Sequence, residues 1–191
     1  MKLLRSDAPN WLTQSWEQWG LEYEQKKRVD PMARRHEGKQ IRHHLITPLA
    51  EMTKKHCSFC DSTPLVSQIR ATIEHFRPKE SFPRLAYQWE NLFACCDICQ
   101  SAKGKRFNDA LLKPDEIEYE FNRYFFFEET TGKLIPNPGA TTEDENRASM
   151  TIQIYKLNEF NRPEARLWAL ELARQSTTLT VDKLPYRFMF L

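Results

Sequence analysis

Apolar residues recur at helical spacing near the start of the chain and predict two amphipathic helices. The first covers residues 10–27, and the second runs from Gln40 to Lys55. Their apolar stripes are Leu12, Trp16, Trp19 and Tyr23 in the first helix and Ile41, Leu45, Leu49 and Met52 in the second. Pro48 lies inside the second helix, where its missing N–H weakens the pattern. Both stripes fit core packing, and the aromatic load of the first also fits a docking surface for a partner subunit.

The C-terminal third predicts a hairpin followed by helices. Tyr124 to Phe127 leads into a turn at Thr131-Gly132, which is typical of a β-hairpin, and a second turn follows at 137–139. Thr142 and Glu145 predict a capping box for a helix whose apolar positions are Met150, Ile154 and Leu157. A last helix begins near Asn161, Pro163 and Glu164 and is predicted to bury Leu167, Trp168 and Leu170. Residues 176–191 fit either a packed terminal arm or a partner-binding segment.

The middle of the chain reads as strand, loop, strand and helix. Residues 67–76 are rich in β-branched and aromatic residues and predict a strand that ends before Pro78. The stretch from Tyr87 to Phe93 is the predicted second strand and leads into the cysteine pair at 96–99, and Gln100 to Lys103 predicts the first turns of a helix. Glu74 and His75 therefore lie at a strand end, with side chains on opposite faces.

Two Cys-x-x-Cys pairs flank this unit and predict one structural zinc site with four sulfur ligands, Cys57, Cys60, Cys96 and Cys99. Four thiolates complete a tetrahedral shell and leave no position for chemistry. Cys95 is predicted to be a small buried residue, and His56 is an alternative ligand in place of one sulfur. A redox role for the pairs remains an alternative.

The chain has 191 residues, a formal net charge of +2 and 40% hydrophobic residues, which fits one compact domain. We divide it into a basic, helical region 1–55, a central region 56–110 and an acidic hairpin with helices in 111–191. No secretion signal and no membrane-length apolar run is visible, so the sequence predicts a cytoplasmic location and no membrane partner. Paired cysteines in that setting favour metal over disulfides.

Basic residues gather in residues 26–55 and again around the central unit. The first group, which includes Arg34 and Arg35, fits either a solvated face or a surface that grips phosphate. The second group is predicted to contact the phosphate backbone and consists of Arg77, Lys79, Lys103, Lys105 and Arg106. No base-reading element is recognisable, so phosphate positioning is expected rather than sequence readout.

The central unit resembles the HNH endonucleases of the ββα-metal type. The resemblance rests on a cysteine knuckle, an acidic residue before His75, a central Asn91, and the string Cys96-x-x-Cys99-Gln100-x-x-Lys103-Gly104. The longer strings His75-Phe-Arg-Pro-Lys79 and Trp89-Glu-Asn-Leu92 are similar to retron-associated HNH endonucleases and to the PtuB-like nuclease subunits of Septu anti-phage systems. The chain departs from the family pattern at Glu74, where Asp is usual, and at Gln100, where Asn is usual.

The resemblance implies an α+β fold with a zinc-stapled ββα-metal core flanked by N-terminal and C-terminal helices. It implies that His75 is the general base and that Glu74 and Gln100 hold a catalytic Mg²⁺ or Mn²⁺ ion. By the same resemblance Asn91 orients the imidazole or its loop, and Lys103 touches a phosphate. These four residues, His75, Asn91, Glu74 and Gln100, are the candidate catalytic set.

The favoured hypothesis is therefore a metal-dependent endonuclease, the effector of a Septu-type or retron-type defence complex with an ABC-type ATPase partner. Its substrate is DNA or RNA. The alternative is a non-catalytic, zinc-stabilised module that binds nucleic acid or protein. A redox or zinc-storage protein is a third, weaker alternative.

Overall fold

A computed structural model describes residues 2–33, 38–67, 69–175 and 178–190 of the chain. It is a mixed α+β fold, as the sequence predicts, with helices around two small antiparallel sheets. Three groups of residues named in the sequence predictions lie outside the described residues: Arg34 and Arg35 of the basic run, Gln68 of the predicted strand, and Ser176, Thr177 and Leu191 of the terminal segment.

The helices and strands follow one another in the order α1 Asn10–Thr13, α2 Trp16–Val29, α3 Gly38–Glu51, β1 Ala71–His75, β2 Leu92–Cys96, α4 Asp97–Lys103, α5 Phe121–Tyr124, β3 Phe125–Glu128, β4 Lys133–Pro136, α6 Thr142–Tyr155 and α7 Arg162–Gln175. Short 3-10 turns cover Pro83–Tyr87, Trp89–Asn91, Val181–Lys183 and Arg187–Phe190.

The central unit is an antiparallel pair, β1 and β2, that runs directly into α4. Glu74 lies opposite Phe93, and His75 lies opposite Leu92. Every residue of both strands is buried, because α3 and α4 both pack against the pair. The predicted strand–loop–strand–helix order is confirmed.

The boundaries of this unit differ from the sequence prediction. β1 is shorter than residues 67–76, and most of the predicted second strand is instead the 3-10 turns that precede Leu92. The helix begins at Asp97 rather than Gln100, because the sulfur of Cys96 accepts a hydrogen bond from the Cys99 N–H at 3.3 Å and so caps the helix.

The N-terminal stripes face the core as predicted. Leu12 and Tyr23 are buried, and Trp16 and Trp19 are partly buried against the core. The predicted single helix 10–27 is wrong in one respect, since α1 and α2 are separate helices that meet at residues 14–15. The stripe of α3 is buried from Ile41 to Leu49, and the helix continues through Pro48.

The C-terminal region corrects two further predictions. The hairpin β3–β4 is confirmed, but the cap of α6 is Thr141, whose hydroxyl accepts from the Asp144 N–H at 3.2 Å, rather than Thr142. Trp168 of α7 is 80% exposed, so its predicted burial is wrong, although Leu170 is buried. The inward face of α7 instead carries Arg162 and Arg166, both buried.

The C-terminal segment packs as an arm against the first cysteine knuckle. The Arg187 guanidinium contacts the Asp61 carboxylate at 2.5 Å, and the Tyr186 N–H donates to the Asp61 carbonyl at 3.0 Å. Burial raises the pKa of Asp61, but hydrogen bonds from His56 and Arg187 outweigh burial and hold that pKa below its ordinary value. The structure thus favours the packed arm over a free binding segment.

None of the helices in the described residues is long and apolar enough to cross a membrane. The main core draws on all three sequence regions, for example through Leu12, Leu92 and Leu157. The boundaries at residues 55 and 110 stay a prediction.

Helix α2 packs with backbone contact against the 3-10 turn Pro83–Tyr87. A Cβ atom added at Gly20 would lie 2.2 Å from the Arg84 carbonyl oxygen, which is far inside van der Waals contact. We therefore expect Gly20→Ala to lower the free energy of unfolding by about 1–3 kcal/mol, measured by urea denaturation, even though Ala favours helix by ~1 kcal/mol.

Gly139→Ala is the matched control for this substitution. A Cβ atom there would meet nothing closer than 3.5 Å. If Gly20→Ala were as stable as Gly139→Ala, the close packing of α2 on the turn would be contradicted.

Candidate metal centre and active site

The two cysteine pairs converge on one point. Their four sulfur atoms lie within 4.8 Å of one another, and all four side chains are buried. The Cys60 and Cys96 sulfurs are 3.8 Å apart. A tetrahedral zinc with Zn–S bonds of about 2.3 Å requires sulfurs ~3.8 Å apart, so the four thiols fit a structural zinc ion.

Backbone hydrogen bonds shape both knuckles. In the first, the Asp61 N–H donates to the Cys57 carbonyl at 2.9 Å, which closes the turn. In the second, the Cys96 N–H points to the Cys57 sulfur at 3.4 Å. N–H groups directed at sulfur favour the thiolate form, which is the form that binds metal.

A buried arginine lies against the sulfur cluster. The Arg162 guanidinium donates to the Cys99 sulfur at 3.2 Å and to the Tyr155 carbonyl at 2.8 Å. Burial lowers the pKa of Arg162, but the neighbouring thiols raise it more, and the pKa lies above its ordinary value. Sequence reasoning missed Arg162, because it lies 63 residues beyond Cys99 and belongs to no motif.

Cys95 and His56 stand outside the cluster. Cys95 is fully buried, as predicted, and its sulfur lies 3.2 Å from the Thr72 hydroxyl. The His56 ring instead contacts the carbonyl oxygens of Asp61 and Asp182, each at 3.1 Å. His56 therefore joins the first knuckle to the C-terminal arm, and the alternative in which it replaces a sulfur is wrong.

His75 is held at the end of β1 by a backbone carbonyl. Its Nε2 atom lies 3.0 Å from the Ala86 carbonyl oxygen, and the residue is 7% exposed. Because a carbonyl only accepts hydrogen bonds, Nε2 carries the proton, and Nδ1 is the basic nitrogen of the neutral ring. This tautomer suits a general base that works through Nδ1.

Asn91 locks the loop that follows His75. Its amide oxygen accepts from the Arg77 N–H at 2.7 Å, and its amide nitrogen donates to the carbonyls of Arg77 and Leu85 at 3.0 and 2.9 Å. Asn91 thus connects the chain after β1 to the turn whose Ala86 carbonyl holds His75. The contacts favour the loop-orienting role over direct contact with a reacting group.

Glu74 forms a buried ion pair with Lys103 of α4. The Lys103 ammonium lies 2.7 Å from a Glu74 carboxylate oxygen and also donates to the His75 carbonyl at 2.9 Å. Burial raises the pKa of Glu74 to about 7, although the neighbouring ammonium opposes the rise. Because its ammonium contacts Glu74 and the residue is buried, Lys103 does not face solvent, where the predicted phosphate contact would place it.

Gln100 lies one turn before Lys103 on the same helix. Its amide nitrogen donates to the Ile73 carbonyl at 2.9 Å, so Gln100 is tied to the strand that carries Glu74. Within the described part of the chain, the four cysteines are the sole group of three or more histidine, cysteine or carboxylate side chains close enough to hold an ion. Glu74 and Gln100 offer oxygen ligands of the kind Mg²⁺ accepts when water and phosphate complete its shell.

The predicted phosphate-contacting residues differ in their surroundings. The Arg77 guanidinium lies 5.3 Å from the ring centres of both Phe82 and Phe107, and its side chain is 45% exposed and 3.8 Å from the Asp109 carboxylate. Lys79 pairs with Glu80 at 3.4 Å. Lys105 is exposed, and the Arg106 guanidinium donates to the Ile154 carbonyl at 2.9 Å, which ties α4 to α6.

A cavity of about 440 Å³ opens beside Arg77. Its lining includes Gln88, Asn91, Phe107 and Lys113. The loop that Asn91 organises therefore borders a solvent-accessible cavity, and the partly exposed Arg77 guanidinium lies at the edge of this cavity.

Comparisons with known proteins give one partial similarity. No protein-family profile matches this chain. Over 56 residues the chain is 34% identical to the Septu protein PtuB of Bacillus thuringiensis. This aligned segment covers 29% of this chain and 22% of that protein. The chain thus matches about a fifth of the relative's length. The predicted likeness to a Septu protein is confirmed to that extent, and the HNH assignment stays a prediction.

Arg162 is expected to support zinc binding, because a Zn²⁺ ion with four thiolates carries excess negative charge that a buried guanidinium offsets. Arg162→Gln should weaken zinc affinity about 10–100-fold, as loss of an outer partner of a metal ligand does. Competition with a chromophoric chelator measures the affinity, and Cys99→Ser, which removes a ligand, sets the scale.

Arg174→Gln is the control for this substitution. Arg174 lies on the same helix but is exposed and pairs with Glu129 at 2.6 Å. Equal zinc affinity in the two glutamine variants would show that Arg162 does not support the metal.

Proposed function

We propose that this chain is a metal-dependent endonuclease of the HNH type that serves a Septu-type anti-phage defence. The observation that carries the proposal is the placement of Glu74 and His75 at one strand end beside α4, within a strand–strand–helix unit closed by four cysteines. The similarity to a Septu protein supports the biological setting.

In the proposed reaction His75 is the general base. Nδ1 of its imidazole takes a proton from the attacking water, while the Ala86 carbonyl holds the protonated Nε2 and fixes the ring. Asn91 holds the loop at Arg77 and the turn at Leu85 in fixed positions around the ring. The Arg77 guanidinium, which is partly exposed and lies beside two aromatic rings, would bind a phosphate oxygen in place of the exposed Asp109 carboxylate 3.8 Å away.

Glu74 and Gln100 are the proposed holders of a Mg²⁺ or Mn²⁺ ion. When bound, such an ion supplies positive charge to the phosphate that is cleaved. The sulfur cluster has a separate, structural role, since four thiolates saturate zinc. Lys79, Lys105 and Arg106 extend the basic surface for the sugar-phosphate backbone, and Lys103 joins them only if its ammonium leaves Glu74.

The proposed partners are a nucleic acid and an ABC-type ATPase subunit in the cytoplasm. The substrate is DNA or RNA, since nothing in the site selects for or against a 2′-hydroxyl. The exposed apolar residues of α7, Trp168 at 80% and Leu172 at 53%, are available to a partner surface.

A non-catalytic zinc module is the second candidate. The buried pair of Glu74 and Lys103 favours it, because a carboxylate already neutralised by an ammonium needs no metal ion. Dependence of cleavage on a divalent ion separates the two candidates: the nuclease stops when a chelator removes that ion, and the module never cleaves.

His75→Ala is expected to abolish cleavage, because it removes the only proton acceptor proposed for the attacking water. The loss should reach about 10²-fold or more, measured on plasmid DNA and on structured RNA with Mg²⁺ or Mn²⁺. Zinc content should match the parent chain, and the variant should stay folded at the assay temperature, although loss of the buried hydrogen bond to the Ala86 carbonyl lowers its thermal stability. Glu90→Ala, at an exposed position next to Asn91, is the control; cleavage that survived in His75→Ala would contradict the proposed base.

Copurification tests the proposed partner. Tagged chain should retain an ATPase encoded beside it, and the complex should cleave where the isolated chain cleaves slowly. A complex that forms yet remains inactive with every divalent ion and with both nucleic acids would favour the binding module.

A further inference from the structure

Lys103 is among the most deeply buried side chains of the described residues. The residue is 1% exposed, and Glu74, its partner, is 4% exposed. A lysine is almost never buried to this extent unless it is paired. Its ammonium has two partners, the Glu74 carboxylate at 2.7 Å and the His75 carbonyl at 2.9 Å.

The surrounding backbone holds this lysine in place. Lys103 is the last residue of α4, and Gly104 ends the helix with a φ of +55° while its N–H donates to the Gln100 carbonyl at 2.8 Å. The Lys103 carbonyl accepts from the Arg106 guanidinium at 3.4 Å, and Arg106 in turn reaches α6. The ion pair is therefore part of the packed core rather than a flexible surface contact.

An ammonium and a divalent ion repel each other strongly at this depth. Like charges a few Å apart repel each other far more strongly when water is largely excluded than they do in solvent. A divalent ion that binds Glu74 therefore meets a positive charge already on the same carboxylate.

We propose that Lys103 is the resident counter-ion of Glu74 and that a divalent ion binds by displacing its ammonium. This inference rests on the proposed function, because it takes Glu74 as the metal ligand. Lys103 holds Glu74 and the end of β1 in position before the ion arrives. The same charge lowers the affinity of the site for the ion, so the metal-free site is a closed resting state.

Magnesium affinity tests the inference directly. Lys103→Met removes the charge and keeps most of the volume, and it should bind Mg²⁺ about tenfold or more tightly than the parent chain by isothermal titration calorimetry. The affinities are compared on the plateau of a pH series, where Mg²⁺ binding by each chain no longer tightens as the pH rises, because Glu74 loses the lowering effect of the ammonium on its pKa in Lys103→Met.

Lys105→Met is the matched control, since it removes the same charge at an exposed position two residues away. Its affinity should stay within about twofold of the parent value, because solvent and salt screen an exposed charge. Three results would overturn the inference. The Mg²⁺ affinity could rise equally in both variants, it could fail to rise in Lys103→Met, or neither variant could bind Mg²⁺.

A second measurement follows the Lys103 ammonium in the unaltered chain, and a variant is needed only to assign the signal. A buried ammonium exchanges its protons slowly and gives a ¹⁵N–¹H signal. The signal that is missing from the spectrum of Lys103→Arg belongs to Lys103. Mg²⁺ should shift or broaden this signal as the ammonium leaves Glu74. A signal unchanged at saturating Mg²⁺ would overturn the displacement.

Glu74→Gln separates this inference from the proposed function. If Glu74→Gln binds Mg²⁺ as tightly as the parent chain, Glu74 is not a ligand and the proposed catalytic site fails. If Glu74→Gln loses Mg²⁺ while Lys103→Met binds like the parent chain, the metal site stands and the counter-ion role alone fails.

Discussion

Everything in the central unit depends on the convergence of four sulfur atoms from two distant turns. The first pair lies in the turn between α3 and β1, and the second lies at the junction of β2 and α4. Four buried thiols that close together repel one another once ionised, so a cation is needed to hold them. Such a cation fixes α4 against β1, and α4 is the helix that carries both Gln100 and Lys103.

Buried charges recur around this unit, and three of them lie against a group that compensates their charge. Arg162 donates a hydrogen bond to a sulfur of the cysteine cluster. Lys103 forms an ion pair with Glu74, and Arg187 forms one with Asp61. Removing one member of a buried ion pair typically lowers the free energy of unfolding by about 3–5 kcal/mol, because the other charge is left without compensation. Arg162 thereby ties the C-terminal helix to the sulfur cluster, and Arg187 ties the C-terminal arm to the first cysteine knuckle, although both lie far from these sites in sequence.

The candidate site could be predicted where the chemistry is local in sequence. The spacing of Cys57, Cys60, Cys96 and Cys99 pointed to one metal centre, and the sulfurs do converge. The position of Glu74 and His75 at a strand end was also predicted from the sequence, and in the structure β1 ends at His75. The catalytic roles of these two residues remain predictions, because placement alone does not establish chemistry.

Helix faces were less predictable than element order. An apolar count placed Trp168 inside, but α7 buries Arg162 and Arg166 and leaves Trp168 in solvent. The reason is that buried guanidinium groups find acceptors on other parts of the chain, such as the Gly132 carbonyl 3.0 Å from Arg166 and the Cys99 sulfur 3.2 Å from Arg162. Such acceptors are invisible in a hydrophobic pattern.

The sequence by itself determined the zinc-type cysteine pattern, the strand–strand–helix order and the partial likeness to a Septu protein, because each depends on residues close together or at fixed spacing. Only the tertiary structure decided the partners of the buried charges. Lys103 looked like a solvent-facing phosphate contact, yet its ammonium lies on Glu74. That choice depends on how deeply α4 packs against β1, and depth of burial is a property of the assembled fold rather than of any stretch of the chain.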